Sequence, residues 1–304
     1  MRKSKLKSQS AMEYLMTYGW AILIIAVVLA VLFQLGVFSS GNFSTRALPG
    51  SCQVQKGAAG ASLTGECLQK PPEFVANFSR NLNSFIQVAD TGFPTTNTMQ
   101  YSIFMWIDTA MPSSGWPQAL GVFRYGEFGQ YGVNVDNGIS IEVDSAGDVC
   151  AYAVTDTDEP IFCSSKAITD NTWHMIGLTY SGGGTLGSAT LYIDGSVTAT
   201  GPSSYTAPFI IPTTGNLGGN FNGGGPFQGY LANVQFYNVS LSPSEIQALY
   251  MEGIGGAPIR PENLTAWWPL NGNANDYSGN NNDGSQAYVT YSSAWYTATS
   301  YVAP

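Results

Sequence analysis

Two hydrophobic regimes divide this chain. Residues 11–38 form one apolar run, and no Asp, Glu, Lys or Arg lies between Glu13 and Arg46. A bilayer needs about 20 such residues, so the run predicts a membrane-spanning helix. From Glu73 onward the pattern becomes short alternating segments separated by Gly, Asn, Asp and Pro. Alternation with period two marks strands. The expected strands are Phe74–Phe78, Phe85–Val88, Tyr101–Ile107, Gln118–Phe123, Tyr131–Val135, Ile139–Val143, Val149–Val154, Ile161–Ser165, His174–Tyr180, Ala189–Ile193, Ser196–Ala199, Phe209–Leu217 and Gly229–Tyr237. Many short strands without intervening helices predict a sandwich or barrel. One helix interrupts them: Ser242 caps it, Pro243 opens it, Glu245 completes a capping box and Gly253 ends it. Asp194-Gly195 predicts a tight hairpin turn.

Charge changes the picture at the N-terminus. Four of the eleven basic residues, Arg2, Lys3, Lys5 and Lys7, precede the apolar run. They place the N-terminus inside the cell and the body outside. From Gln9 onward seven basic and twenty acidic residues remain, which disfavours nucleic acid as a partner. The apolar core is longer than that of an ordinary cleaved secretory signal, and a plain anchor is the simpler alternative. Lys7 through Leu15, KSQSAMEYL, resembles the archaeal class III, type IV pilin-like signal. That resemblance implies cutting by a prepilin peptidase between Ser8 and Gln9. It leaves residues 9–38 as an assembly helix and makes Glu13 the fifth mature residue, paired with a neighbouring pilin subunit's α-amino group. The family usually has Gly before the cut, where this chain has Ser8.

Residues 39–72 read as a stalk rich in Gly, Ser and Ala. In the body, Trp173–Tyr180 (WHMIGLTY) resembles the WHHVAVTY strand of laminin G-like domains, and Leu191–Gly195 (LYIDG) their LYVDG hairpin. Gly229–Asn238 with Leu241–Ile246 resembles the GxIDEVRIYNRALSxxEI segment, and Phe74–Val88 the opening strand pair. These four segments cover roughly residues 72–253 in family order. They imply a mainly β, concanavalin A-like (laminin G-like) sandwich over 73–290, behind the N-terminal transmembrane helix. Residues 264–284 resemble the family's first segment, displaced to the end. They are expected either to supply a permuted first strand or to begin a truncated repeat, with 291–304 as a tail.

The four cysteines form local pairs, Cys52/Cys67 and Cys150/Cys163. An exported chain with an even count predicts disulfides. Calcium is the candidate cofactor. Asp276, Asn280, Asn282 and Asp283 cluster on one loop and offer hard oxygen donors, as does, less strongly, the loop 156–159. Asn and Asp are equally good turn residues. Trp116, Tyr125, Phe128 and Tyr131 are candidate aromatic platforms for sugars, with sandwich core as their alternative. Sequons at Asn42, Asn238 and Asn263 mark glycan acceptors; a fourth, at Asn77, falls in a strand.

Catalysis is not expected. Glycoside hydrolysis needs two facing carboxylates. Glu142-Val143-Asp144 begins the hydrolase pattern, but Gly147 stands where its last acid belongs. His174, the single histidine, reads as structural. The expected protein is therefore an extracellular, membrane-anchored binding or adhesion module meeting glycans or proteins. A pilus-like filament subunit is the alternative, and a surface glycoside-processing enzyme a distant third.

Overall fold

Inward and outward positions alternate so regularly from Val75 onward that two sheets close over one core. The computed structural model describes residues 22–28, 53–57, 60–64, 71–88, 92–93, 95–110, 120–127, 137–154, 161–204, 215–219 and 225–293. The chain divides into two compact units, Met1–Thr45 and Arg46–Pro304. In the first, residues 22–28 are helical, and Ile22, Leu23, Ile24, Ile25, Val27 and Val28 are exposed. No helix among the described residues is long and apolar enough to cross a membrane. Most of the expected 11–38 span lies outside the described residues.

In the second unit the strands begin with β1 (Gln53–Gly57), β2 (Gly60–Thr64), β3 (Val75–Phe78), β4 (Phe85–Val88), β5 (Tyr101–Asp108) and β6 (Leu120–Glu127). There follow β7 (Asn137–Val143), β8 (Asp148–Val154), β9 (Ile161–Ala167), β10 (His174–Tyr180), β11 (Ala189–Ile193) and β12 (Ser196–Thr200). The last are β13 (Gly215–Gly218), β14 (Gly225–Pro226), β15 (Gly229–Tyr237), β16 (Leu264–Trp268), β17 (Ser285–Ala287) and β18 (Thr290–Ser292). Sheet one runs β12-β11-β10-β5-β15-β3-β18, with β16 also paired to β15. Sheet two runs β17-β4-β13-β6-β7-β8-β9, with β14 beside β6. The expected strand Tyr131–Val135 and residues 209–214 lie outside the described residues.

β15 is long enough to hold two strands on one side. Its first part pairs with β3 (Leu231 opposite Ala76) and its second with β16 (Val234 opposite Trp268). The Trp-rich segment after residue 263 is therefore part of sheet one. β17 pairs with β4 and β18 with β3, so the same segment adds a strand to each sheet.

Between the sheets lie Phe78, Ile86, Phe123, Ile141, Ile176, Leu191, Phe236 and Trp268, among others. A second cluster sits on the outer side of sheet one: Phe104, Trp106, Met175 and Tyr237 meet Ile246 and Leu249 of the helix Pro243–Met251. That helix carries the expected capping box, with Ser242 accepting from the Glu245 amide. Asp194 and Gly195 both have positive φ, 52° and 75°, as the Asp-Gly turn requires. The β1–β2 hairpin joins the outer cluster through Val54, whose amide donates to the Tyr277 carbonyl at 2.8 Å. Cys150 and Cys163 are bonded across β8 and β9; Cys52 and Cys67 fall outside the described residues.

Candidate functional site

Because directly opposed residues of antiparallel strands share a face, the register of sheet two aligns its outward side chains. Ser285 stands opposite Gln87, Gln87 opposite Asn216, Asn216 opposite Arg124, Arg124 opposite Ser140, and Ser140 opposite Tyr152. Their neighbours along each strand, such as Ile86, Leu217, Phe123, Tyr125, Ile139 and Ala151, are core residues. Six side chains able to hydrogen-bond thus form one row across six strands, on the face turned away from the core. At a strand spacing of about 4.8 Å the row is roughly 24 Å long.

Glu142 lies two residues along β7 from Ser140 and therefore on the same face. It stands opposite Cys150, which stands opposite Cys163, so the disulfide floors this side of the row. The Ser140 hydroxyl donates to Glu142 Oε1 at 3.1 Å. Burial pushes the Glu142 carboxyl up from the ordinary range, while the Ser140 hydrogen bond and the Arg124 charge pull it down. The row thus holds a cation, a carboxylate, amides and hydroxyls, running from exposed Ser285 and Gln87 through half-buried Asn216, Arg124 and Tyr152, with Ser140 and Glu142 buried beneath.

Asp144 plays another part. Its Oδ1 accepts from the Ala146 amide at 2.8 Å and the Asp148 amide at 2.9 Å, which fixes the β7–β8 turn. The two acids of the Glu142-Val143-Asp144 pattern therefore divide between the sheet face and a turn.

One expectation about a site residue is corrected. Tyr125 is not a sugar platform: it is fully buried, edge-on to Phe93 with ring centroids 4.7 Å apart. The expected strand ended at Phe123, but alternation carries β6 through Glu127 and turns Tyr125 inward. In the Asp276–Asp283 loop several side chains hydrogen-bond within the protein. Asp276 Oδ1 accepts from the Trp267 and Ser278 amides, and Oδ2 from the Asn282 amide and the Ser278 hydroxyl, all at 2.8–2.9 Å. Asp283 Oδ1 accepts from the Asp276 amide. Asn280 Oδ1 accepts from the Lys56 ammonium at 3.1 Å, and its amide nitrogen donates to the Leu264 and Thr265 carbonyls. The side chain of Asn282 is fully buried and donates to the Thr265 carbonyl. Both Asp276 oxygens thus serve to shape the loop, by accepting from three backbone amides and one hydroxyl.

Asn263 donates its side-chain amide to Asn238 Oδ1 at 3.1 Å, which places these two sequons side by side. Ser8, Gln9, Glu13, Asn42, Trp116, Phe128, Tyr131 and the 156–159 loop lie outside the described residues. The transverse row escaped sequence reading because its members come from segments up to 200 residues apart. The available signal was local: Arg124, Ser140, Glu142 and Tyr152 are polar positions at period two within otherwise apolar strands.

Two antiparallel sheets enclosing a single core, with a polar outer face, define a lectin-type jelly-roll sandwich. The family model described as "Concanavalin A-like lectin/glucanases superfamily" matches residues 80–247, and the chain belongs to that family. No curated protein sequence matches the chain. Among solved structures it resembles a candidate carbohydrate binding protein from Bacteroides ovatus at 17% identity and a TM-score of 0.53, covering 76% of this chain and 62% of that one. The chain thus spans somewhat under two thirds of that relative's length. A heptameric SAP-like pentraxin from Limulus polyphemus aligns at 13% identity with a TM-score of 0.48, over 72% of this chain and 94% of that one.

Proposed function

We propose that the sandwich is a carbohydrate-binding module displayed outside the cell, with the polar row of sheet two as its ligand face. The observation that carries this reading is the alignment of Gln87, Asn216, Arg124, Ser140 and Tyr152 across neighbouring strands, with Glu142 beside them. Sugars present hydroxyls on every side, and a polar, preorganised, sheet-borne array meets them without reorganisation. The family and the fold shared with the Bacteroides ovatus protein support the same reading. Binding rather than hydrolysis follows from the division of Glu142 and Asp144 between face and turn.

The chain's N-terminal segment serves in this proposal as the anchor. Basic residues before an apolar run of this length hold residues 11–38 in lipid with the body outside. A type IV pilin-like helix starting at Gln9, with Glu13 paired to a neighbouring subunit, adds assembly into a surface filament as a second role. N-terminal sequencing of membrane-extracted protein should begin at Gln9; a start at Met1 would remove the pilin-type part and leave a plain anchor.

The binding part is tested on a glycan array with full-length protein in detergent. The wild type should bind at least one oligosaccharide class. Arg124→Ala, which removes the cation of the row, and Glu142→Gln, which removes its negative charge, should each weaken that binding by about tenfold or more, since hydrogen bonds to charged groups are the stronger ones. Silence across the array, or equal binding by both variants, would refute the assignment.

A further inference from the structure

Three sequons lie among the described residues, and the fold treats them differently. Asn77-Phe78-Ser79 begins inside β3, which pairs with β15 on one side and β18 on the other, and Phe78 is fully buried. Asn263-Leu264-Thr265 runs straight into β16. Leu264 is 1% exposed and Thr265 4%, and the Thr265 carbonyl accepts from the side chains of Asn280 and Asn282. Asn238-Val239-Ser240 follows the end of β15 as a bend outside any strand. There Asn238 is exposed, and Val239 and Ser240 are half-buried.

Asn263 is turned toward its neighbour. Its Nδ2 donates to Asn238 Oδ1 at 3.1 Å, and the Asn238 backbone amide donates to the Asn263 carbonyl at 3.0 Å. The nitrogen that a glycan would need at Asn263 is therefore already a donor within the protein. At Asn238 the oxygen is the held atom, and no hydrogen bond among the described residues engages its Nδ2. A sequon serves as an acceptor on a surface loop, where the amide and the hydroxyl residue two places on are both within reach. Of these three, the segment 238–240 alone meets that condition; using Thr265 would require peeling β16 away from β15.

We propose that Asn238 carries an N-linked glycan on the folded body, while Asn263 and Asn77 stay bare. This rests on the reading above that the body is displayed outside the cell. The donor class is an oligosaccharide joined through phosphate to a polyprenyl lipid. Asn238 Nδ2 forms the new bond to C1 of the first sugar. The C1–O bond to phosphate breaks and leaves its electron pair on the phosphate, and Nδ2 gives up one proton to the transferring enzyme. Nothing is oxidised or reduced. Asn238 ends a strand of sheet one, so a glycan there leaves the polar row of sheet two open to its own ligand.

The test is peptide mass spectrometry of the full chain purified from its native membranes. Cleavage after Glu245, Glu252 and Glu262 separates Asn238 from Asn263. The peptide containing Asn238 should carry a saccharide mass, and the peptide beginning at Asn263 should have its unmodified mass. Asn238→Gln and, separately, Ser240→Ala should each remove the saccharide, and Ser240→Thr should keep it. If Asn238→Gln fails to fold, the two Ser240 variants carry the test. Bare Asn238, a glycan on Asn263 or Asn77, or a saccharide on the 238 peptide that survives Ser240→Ala would each overturn the proposal. Protease added to intact cells separates this failure from that of the display reading. A digested body with bare Asn238 overturns the acceptor assignment alone, and a protected body with bare Asn238 overturns both.

Discussion

A chain ending at Pro258 is expected to show no cooperative thermal transition. The segment it lacks contributes β16 to sheet one beside β15, β17 to sheet two beside β4, and β18 to sheet one beside β3. Trp267 and Trp268 of β16 are both fully buried; Trp267 Nε1 donates to Asn233 Oδ1, and Trp268 Nε1 to the Asn282 carbonyl, each at 2.8 Å. Two buried tryptophans represent about 400 Å² of surface, or on the order of 10 kcal/mol of burial. That is the size of a domain's whole net stability, about 5–15 kcal/mol. The loss would also leave one side of the second half of β15, of β3 and of β4 unpaired, since each keeps only its other neighbour, and those bare edges are open to pairing with other chains. Circular dichroism melting compares the truncated and full chains; matching transitions would mean that residues 259–304 are an appendage rather than part of the sandwich.

The second large effect is expected at a single side chain. Trp268→Ala should cost about 3–5 kcal/mol, the range for removing a buried aromatic from a core. Trp268 lies in the inter-sheet cluster, edge-on to Phe93 with centroids 6.4 Å apart. Phe93 stacks in turn on Phe236, at 4.2 Å and an interplanar angle of 8°. The cavity would therefore open beside an aromatic stack that cannot collapse without losing its own geometry. Tm should fall by on the order of 10 °C. Val197→Ala on β12, 55% exposed, serves as the control and should change stability by no more than about 0.5 kcal/mol. Equal effects of the two substitutions would contradict the placement of β16 in the core.

Much of the sandwich was legible because its signals are local. Val75–Phe78, Phe85–Val88, His174–Tyr180, Ala189–Ile193 and Gly229–Tyr237 alternate within their own few residues, and each forms a strand with bounds matching those expected or within a residue of them. The helix at Pro243 was legible for the same reason, since cap, proline and Glu245 lie within four residues. Cys150 and Cys163 were paired by proximity in the chain, and β8–β9 register places them face to face.

What was not legible depends on partners distant in sequence. The polar row requires knowing that β13 lies between β4 and β6, an order set by topology. Tyr125 was misplaced because the outward Arg124 interrupted an apolar run, although alternation continued beyond it. The loop 276–283 has a composition that suits either a cation or a turn, and its shape is set by amides from Trp267 and Asn282 that close upon Asp276. His174 reads as one ordinary member of a core strand; its two carboxylate partners, Asp170 and Asp194, come from the turn before β10 and the turn after β11. In each case the residue types were visible, and their meaning was decided by which backbone came to face them.

The most direct measurement of the central claim is a crystal structure of residues 46–304 with the best-binding oligosaccharide from the array. The sugar should lie along sheet two, within hydrogen-bonding distance of Arg124, Asn216 and Glu142, on the face opposite the core. A sugar held instead on the loops at the rim, with Arg124 and Glu142 untouched, would contradict it.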